Sequence, residues 1–194
     1  MAAFDVLRCY LEARACFTEA QFEFMWPLFV PKTLAVGDFV QRAGEVATHA
    51  SFVTCGCLRS YVIDAKGKEH IVQFAPETWW LADTKSLSTG APSQYFVDAL
   101  EPTELLLIDR PSHEKIVANV PPYAMSFQAG LQRHAAAKDE RIVSALSTSA
   151  EERYLQFLET YPSIVQRVPQ FMLASYLGVS PETLSRIRKN LSRR

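Results

Sequence analysis

Between Gln170 and Lys189 the order of small, apolar and chain-turning residues leaves the backbone few ways to run. Ala174 is the small residue that lets a second helix cross closely. Gly178, four positions on, tolerates the positive φ that a tight turn between steeply crossed helices demands. Leu173, Leu177, Val179, Leu184 and Ile187 fall where they fill the angle between the two helices. Ser180 followed by Pro181 is a start signal, a hydroxyl N-cap ahead of the fixed φ of proline. These positions meet one template, a helix-turn-helix. Once they turn inward, the second helix shows Glu182, Ser185, Arg186 and Lys189 to solvent, flanked by Thr183 and Arg188.

Charge points the same way. The net charge is −1, too small for a non-specific polyanion binder. Its distribution is uneven: residues 147–194 carry seven Lys and Arg against four Asp and Glu, residues 1–146 thirteen against seventeen. A basic end on an acidic body is expected where one end meets phosphate. Arg186 suits bidentate bonding to guanine, and Glu182 suits accepting from cytosine N4. Thr183, Lys189 and the first-turn N–H groups suit phosphate. Ser180, Glu182, Thr183, Ser185, Arg186 and Lys189 are therefore the candidate DNA-contacting residues.

Upstream the periodicity changes. Thr18 and Gln21 form a capping box, and Phe22, Met25, Trp26 and Phe29 recur at helical spacing. Pro27 kinks or shortens that helix and Pro31 ends it. From Lys32 to Arg110, short runs of Val, Phe, Ile and Leu alternate with glycines, the pattern of an all-β barrel or sandwich. Asp64-Ala65-Lys66-Gly67 reads as a hairpin turn between Leu58–Ile63 and His70–Phe74, and Glu104–Arg110 as the closing strand. After Pro121-Pro122, six or seven helical turns fit before a hinge at Ser147-Thr148-Ser149. Phe127, Leu131, His134, Ile142 and Leu146 form an imperfect stripe there, with Ala135, Ala136 and Ala137 allowing close approach. Such a stripe packs on a partner helix or on the chain's own β domain. Ser149 and Glu152 form a second capping box, opening a helix to about Tyr161.

Other functions lack their motifs. No apolar run of membrane-spanning length occurs, and the N-terminus lacks signal-peptide character, so a cytoplasmic protein is expected. Cys9 and Cys16 are placed on one helix face and Cys55 and Cys57 along one strand, as packing residues without zinc spacing. A metal-dependent enzyme on a β-roll needs clustered ligands, but His49, His70, His113 and His134 stand apart. No phosphate loop or nucleophile motif appears. The expectation is a non-enzyme with no catalytic residue, metal or cofactor.

The chain resembles the Crp/Fnr family of bacterial regulators. The resemblance rests on the spaced glycines, on Thr89-Gly90-Ala91-Pro92, on Ala99 to Leu105, and above all on Gly178-Val179-Ser180-Pro181-Glu182-Thr183-Leu184-Ser185-Arg186. It implies an α+β chain in three parts. Residues 1–120 would be a cyclic-nucleotide-binding-like sensor, a double-stranded β-roll of jelly-roll kind. Residues 121–146 would be a dimerisation helix, and 147–194 a helical helix-turn-helix domain that lacks a full wing. It also implies a homodimer reading a near-palindromic DNA site, with Glu182 and Arg186 as base readers. Cyclic-nucleotide-binding members hold the ribose with a Gly-Glu pair and the phosphate with an Arg followed by Ser or Thr. Here Ala82 and Asp83, then Ser93 and Gln94, occupy those places. Asp83, Ser93 and Gln94 are thus the ligand-pocket candidates, with Trp79 and Trp80 beside them as lid or core. A response to cyclic AMP is not expected, and another small effector is allowed. The rival reading is a ligand-binding module acting through protein contacts rather than DNA.

Overall fold

The computed structural model describes residues 3–192, apart from the side chains at positions 131, 133–138 and 140. The expected contributions of Leu131, His134 and Ala135 to Ala137 to the helical stripe lie outside the described residues. The chain forms two compact units, Met1–Ser60 with Phe74–Gln132, and Tyr61–Gln73 with Arg133–Arg194. The fold is α+β, with an antiparallel β core in the first part of the chain and helices after it.

The first unit opens with α1 (Ala3–Glu12) and α2 (Glu19–Met25). Thr18 and Gln21 make the expected capping box. Pro27 sits in a single 3₁₀ turn, Trp26–Leu28, and the helix ends there. Pro31 is not the stop: it lies inside strand β1 (Val30–Leu34). β1 is an edge strand, where proline's missing N–H costs no ladder bond. Seven more strands follow: β2 (Phe39–Gln41), β3 (His49–Cys55), β4 (Leu58–Ile63), β5 (Glu69–Ala75), β6 (Trp80–Leu81), β7 (Phe96–Ala99) and β8 (Thr103–Asp109). They form two sheets, ordered β1-β8-β3-β6 and β2-β7-β4-β5.

The first of these sheets is buried on both faces, which is why β8 reads Leu105-Leu106-Leu107-Ile108 without alternation. Leu105 and Leu107 join Val53, Leu58, Val97 and Ala99 in one core. Leu106, Ile108 and Phe52 join Leu7, Leu11, Phe22 and Met25 in another. Helix α1 therefore closes the outer face of that sheet, with Tyr10 edge-on to Phe52 at 5.1 Å. An inward Arg59–Asp98 pair, bonded at 2.7 and 2.9 Å, is buried with it. Breaking one partner of such a pair would strand a charge, so it constrains the roll more than it stabilises it.

The cysteine placements need correction. Cys9 lies in α1, but Cys16 lies beyond the helix end, so the two do not share a helical face. Cys55 closes β3 and Cys57 precedes β4, with a bend at Gly56 between them. Cys57 is buried and the other three are exposed.

Helix α3 (Thr84–Thr89) lies between β6 and β7, and α4 (Arg110–Asn119) leads into α5, a helix of 27 residues from Pro121 to Ser147. In the second unit, α6 (Ala150–Thr160) starts on the Ser149–Glu152 capping box. Then come α7 (Gln170–Leu177) and α8 (Pro181–Leu191). Their core is Tyr154, Phe157, Ile164, Leu173, Ala174, Leu177, Leu184 and Ile187, all buried. Each fully buried Leu or Ile contributes about 1.5–3 kcal/mol. The hairpin tip between β4 and β5 belongs to this unit. Asp64 accepts from the Lys66 and Lys68 N–H groups and bonds His70 Nε2 at 2.8 Å. Chiefly through His70, these bonds lower the Asp64 pKa to about 2.

Candidate functional site

The turn between α7 and α8 is built as its sequence requires. Gly178 takes φ 69° and ends α7, a conformation that costs a residue with a Cβ about 1–2 kcal/mol. Ser180 caps α8, its hydroxyl accepting from the Thr183 N–H at 3.2 Å. Ala174 is buried where the helices meet, and Val179 is half-buried rather than fully inward.

The outward face of α8 holds the candidate residues together. Glu182, Ser185, Arg186 and Lys189 are exposed, while Thr183 is half-buried beside them. Among the described residues no side-chain hydrogen bond engages Ser185, Arg186 or Lys189. The Ser180 hydroxyl and Glu182's own N–H hold the Glu182 carboxyl below its ordinary range, with a smaller pull from Arg186. Glu182 therefore stays ionised and completes the first turn of α8, where a negative charge also suits the helix dipole.

The three pocket candidates are not displayed in the same way. The Asp83 carboxylate caps α3, accepting from the Ser86 N–H at 3.0 Å. Ser93 is buried, and its hydroxyl accepts from the Tyr95 N–H at 3.0 Å. Gln94 is exposed and bonds the Tyr95 hydroxyl at 3.0 Å. At the centre of this segment is Ser86, 2% exposed, which sequence reasoning passed over. Its hydroxyl accepts from Ala47 N–H at 2.8 Å and donates to Ala91 O at 2.6 Å. The tryptophans separate: Trp79 packs on the core within the roll, Trp80 on Phe52 at the outer one.

Among the described residues, no group of three His, Cys, Asp or Glu is arranged to hold a metal. No described helix is long and apolar enough to cross a membrane.

Residues 31–120 match the family described as the cyclic nucleotide-binding domain. No curated protein sequence matches the chain. Solved structures do share its fold. FixK2 from Bradyrhizobium japonicum is 22% identical, covering 85% of each chain with a TM-score of 0.69. A CooA mutant from Carboxydothermus hydrogenoformans is 14% identical over 91% of this chain and 80% of its own, at 0.71. The global regulator CLP of Xanthomonas campestris is 14% identical over 91% and 92%, at 0.70. At these identities the likeness concerns the fold. Residues 31–120 are thus similar to a cyclic nucleotide-binding domain, and the chain has the fold of the Crp/Fnr regulators, the resemblance its sequence announces.

Proposed function

We propose that this chain is a one-component, DNA-binding transcription regulator of the Crp/Fnr type, cytoplasmic and without enzymatic activity. The observation that carries the reading is the α7–Gly178–α8 corner with Arg186, Ser185 and Lys189 outward and unengaged. In this reading Arg186 and Glu182 contact bases, Glu182 by exchanging its bond from Ser180. Ser180, Thr183, Ser185 and Lys189 hold phosphates and fix register.

In this reading the labour divides into a sensor over 1–120, a dimerisation helix over 121–146 and a DNA-binding domain over 147–194. Met125, Ile142, Val143 and Leu146 on α5 are 60–85% exposed, apolar surface that a second copy of the helix would cover. A homodimer presents two copies of α8, and a near-palindromic site follows from that symmetry. Around α3, Asp83, Ser86, Ser93 and Gln94 have hydrogen-bond partners within the chain, which supports a sensor that ignores cyclic AMP.

Selection from random-sequence duplexes, followed by mobility shift, tests the reading. The expected result is a near-palindrome bound by a dimer, with sedimentation equilibrium giving twice the chain mass at micromolar concentration. Recovery of no preferred sequence would turn the reading toward a module acting through protein contacts.

A further inference from the structure

We infer that Arg141 and Ser175 form a latch that fixes α7 to the edge of the β4–β5 hairpin, presetting the helix-turn-helix for DNA; the inference rests on the DNA-binding reading above. The contacts lie within the second unit. On α7, the Ser175 hydroxyl accepts from the Ile71 N–H at 3.1 Å and donates to Glu69 O at 3.2 Å. Strand β5 ends its sheet, so its outward main-chain groups have no neighbouring strand. One serine hydroxyl takes that strand's place over residues 69–71.

Arg141 of α5 joins the same edge. Its guanidinium donates to Val72 O, to Ile71 O at 3.3 Å and to Tyr176 O at 3.2 Å. It also lies 4.1 Å from the centroid of the Tyr176 ring. One cation therefore ties α5, β5 and the end of α7. Arg153 of α6 donates to the next carbonyl, Leu177 O, at 3.2 Å and to Thr148 O at 2.7 Å. The last two carbonyls of α7 each receive an arginine, a charge that the negative end of a helix favours.

The geometry selects arginine. A planar fork bonds several carbonyls while stacking on a ring, and a lysine ammonium cannot do both. None of these bonds uses Ser185, Arg186 or Lys189, so the latched arrangement leaves the outward face of α8 open. Holding α7 in advance reduces the freedom lost when DNA binds. Arg141 and Ser175 are thus positioning residues, not contacts to DNA.

The test combines amide exchange with affinity in the full chain, on the duplex that the unaltered chain selects. In Ser175→Ala, exchange of the Ile71 amide is expected to quicken about tenfold and affinity to fall about fivefold to tenfold, the equivalent of one hydrogen bond. Arg141→Lys should weaken binding by a similar factor. Sequence ranking and salt slope should stay unchanged in both, because no base or phosphate contact is lost. Ser175→Thr, which keeps the hydroxyl, should restore both readouts. Unchanged Ile71 exchange in Ser175→Ala would overturn the latch. Faster exchange with unchanged affinity would reduce the contact to packing, and tighter binding would make it a restraint; either overturns the presetting role. If the unaltered chain selects no duplex, the DNA reading fails and that role with it, while Ile71 exchange still reports the contact by itself.

Discussion

Helices α3 and α8 begin alike and are used differently. Each starts on a short polar cap, Asp83 for α3 and Ser180 for α8, and each has a positive-φ glycine next to it, Gly90 and Gly178. Around α3, three polar side chains are taken up by the chain itself: Asp83 by Ser86 N–H, Ser86 by Ala47 and Ala91, Ser93 by Tyr95. On α8, Ser185, Arg186 and Lys189 turn outward with no side-chain hydrogen bond among the described residues. A hydrogen-bonding group already satisfied inside the fold must give up that bond before it holds a ligand, whereas one facing water exchanges only water. The sequence pattern places α8 but reads the α3 segment as part of an all-β run; the destination of their side chains separates scaffold from recognition surface.

The largest effect expected from this contrast is the failure of cyclic AMP to bind. A cyclic phosphate is anionic, and the positions to which the family resemblance assigns an arginine and a hydroxyl carry Ser93, which is buried, and Gln94, which faces solvent. Loss of a bidentate arginine–phosphate bridge costs about 3–5 kcal/mol, or two to four decades of affinity. Isothermal titration should show no heat of binding at micromolar cyclic AMP. A dissociation constant below about 10 μM would break the comparison, because the α3 segment would then be a recognition surface after all.

Next in size is Ser86→Ala. It removes one hydroxyl and leaves two main-chain groups unpaired, Ala47 N–H and Ala91 O. Each buried orphan costs about 1–3 kcal/mol. Thermal unfolding should show a clear loss of stability. A change within about 0.5 kcal/mol would mean that water reaches the cassette and that its hydroxyls are open to a ligand.

What was legible in the sequence follows the same division. The α7–α8 corner was readable because its determinants are local: a small residue, a glycine, a cap and five apolar positions lie within fifteen residues. The Asp64–Gly67 hairpin and both capping boxes were readable for the same reason. Much of the rest depends on partners distant in sequence. The run Leu105–Ile108 marks a strand, but not which of two cores each residue joins. Trp79 and Trp80 are neighbours that enter different cores, and only the sheet decides that. Cys55 and Cys57 looked like one strand because the bend at Gly56 carries no more signal than the other glycines. Thr78 adopts φ 68°, which no rule for a β-branched residue anticipates; its N–H is held by Val53 O at 2.8 Å. The bonds of Arg141 and Ser175 go to main-chain atoms of the hairpin, and a main-chain acceptor leaves no trace in residue identity.

On α8 the comparison sharpens into two kinds of outward residue. Arg186→Ala should cost about 1–3 kcal/mol on the preferred duplex and relax choice at one base pair per half-site. Lys189→Ala should weaken binding to all sequences alike and flatten the salt dependence by about one unit of slope. Binding measured over a panel of single-base variants and several salt concentrations separates them. Equal losses on every duplex from both substitutions would show that α8 holds backbone without reading sequence.

The smallest expected effect is a pH slope, and it concerns a polar group that neither helix explains. His113 of α4 packs edge-on against Phe127 at 4.3 Å and Tyr123 at 5.7 Å. Its Nε2 is buried with no partner among the described residues. Burial lowers its pKa, against a weaker upward pull from Glu114. The ordinary imidazole value is about 6.5, so below that pH the unfolded chain binds a proton that the folded chain resists. The contribution is fully present above about pH 6.5 and is lost as pH falls through the lower folded value. The melting temperature should therefore decline from neutral pH into the mildly acidic range. His113→Phe keeps an aromatic ring against Phe127 and Tyr123 and cannot titrate, so its decline over that range should be shallower. Parallel curves for the two proteins would show that His113 keeps water or a partner at Nε2, and that the buried polar groups of this unit are more open than those of the α3 cassette.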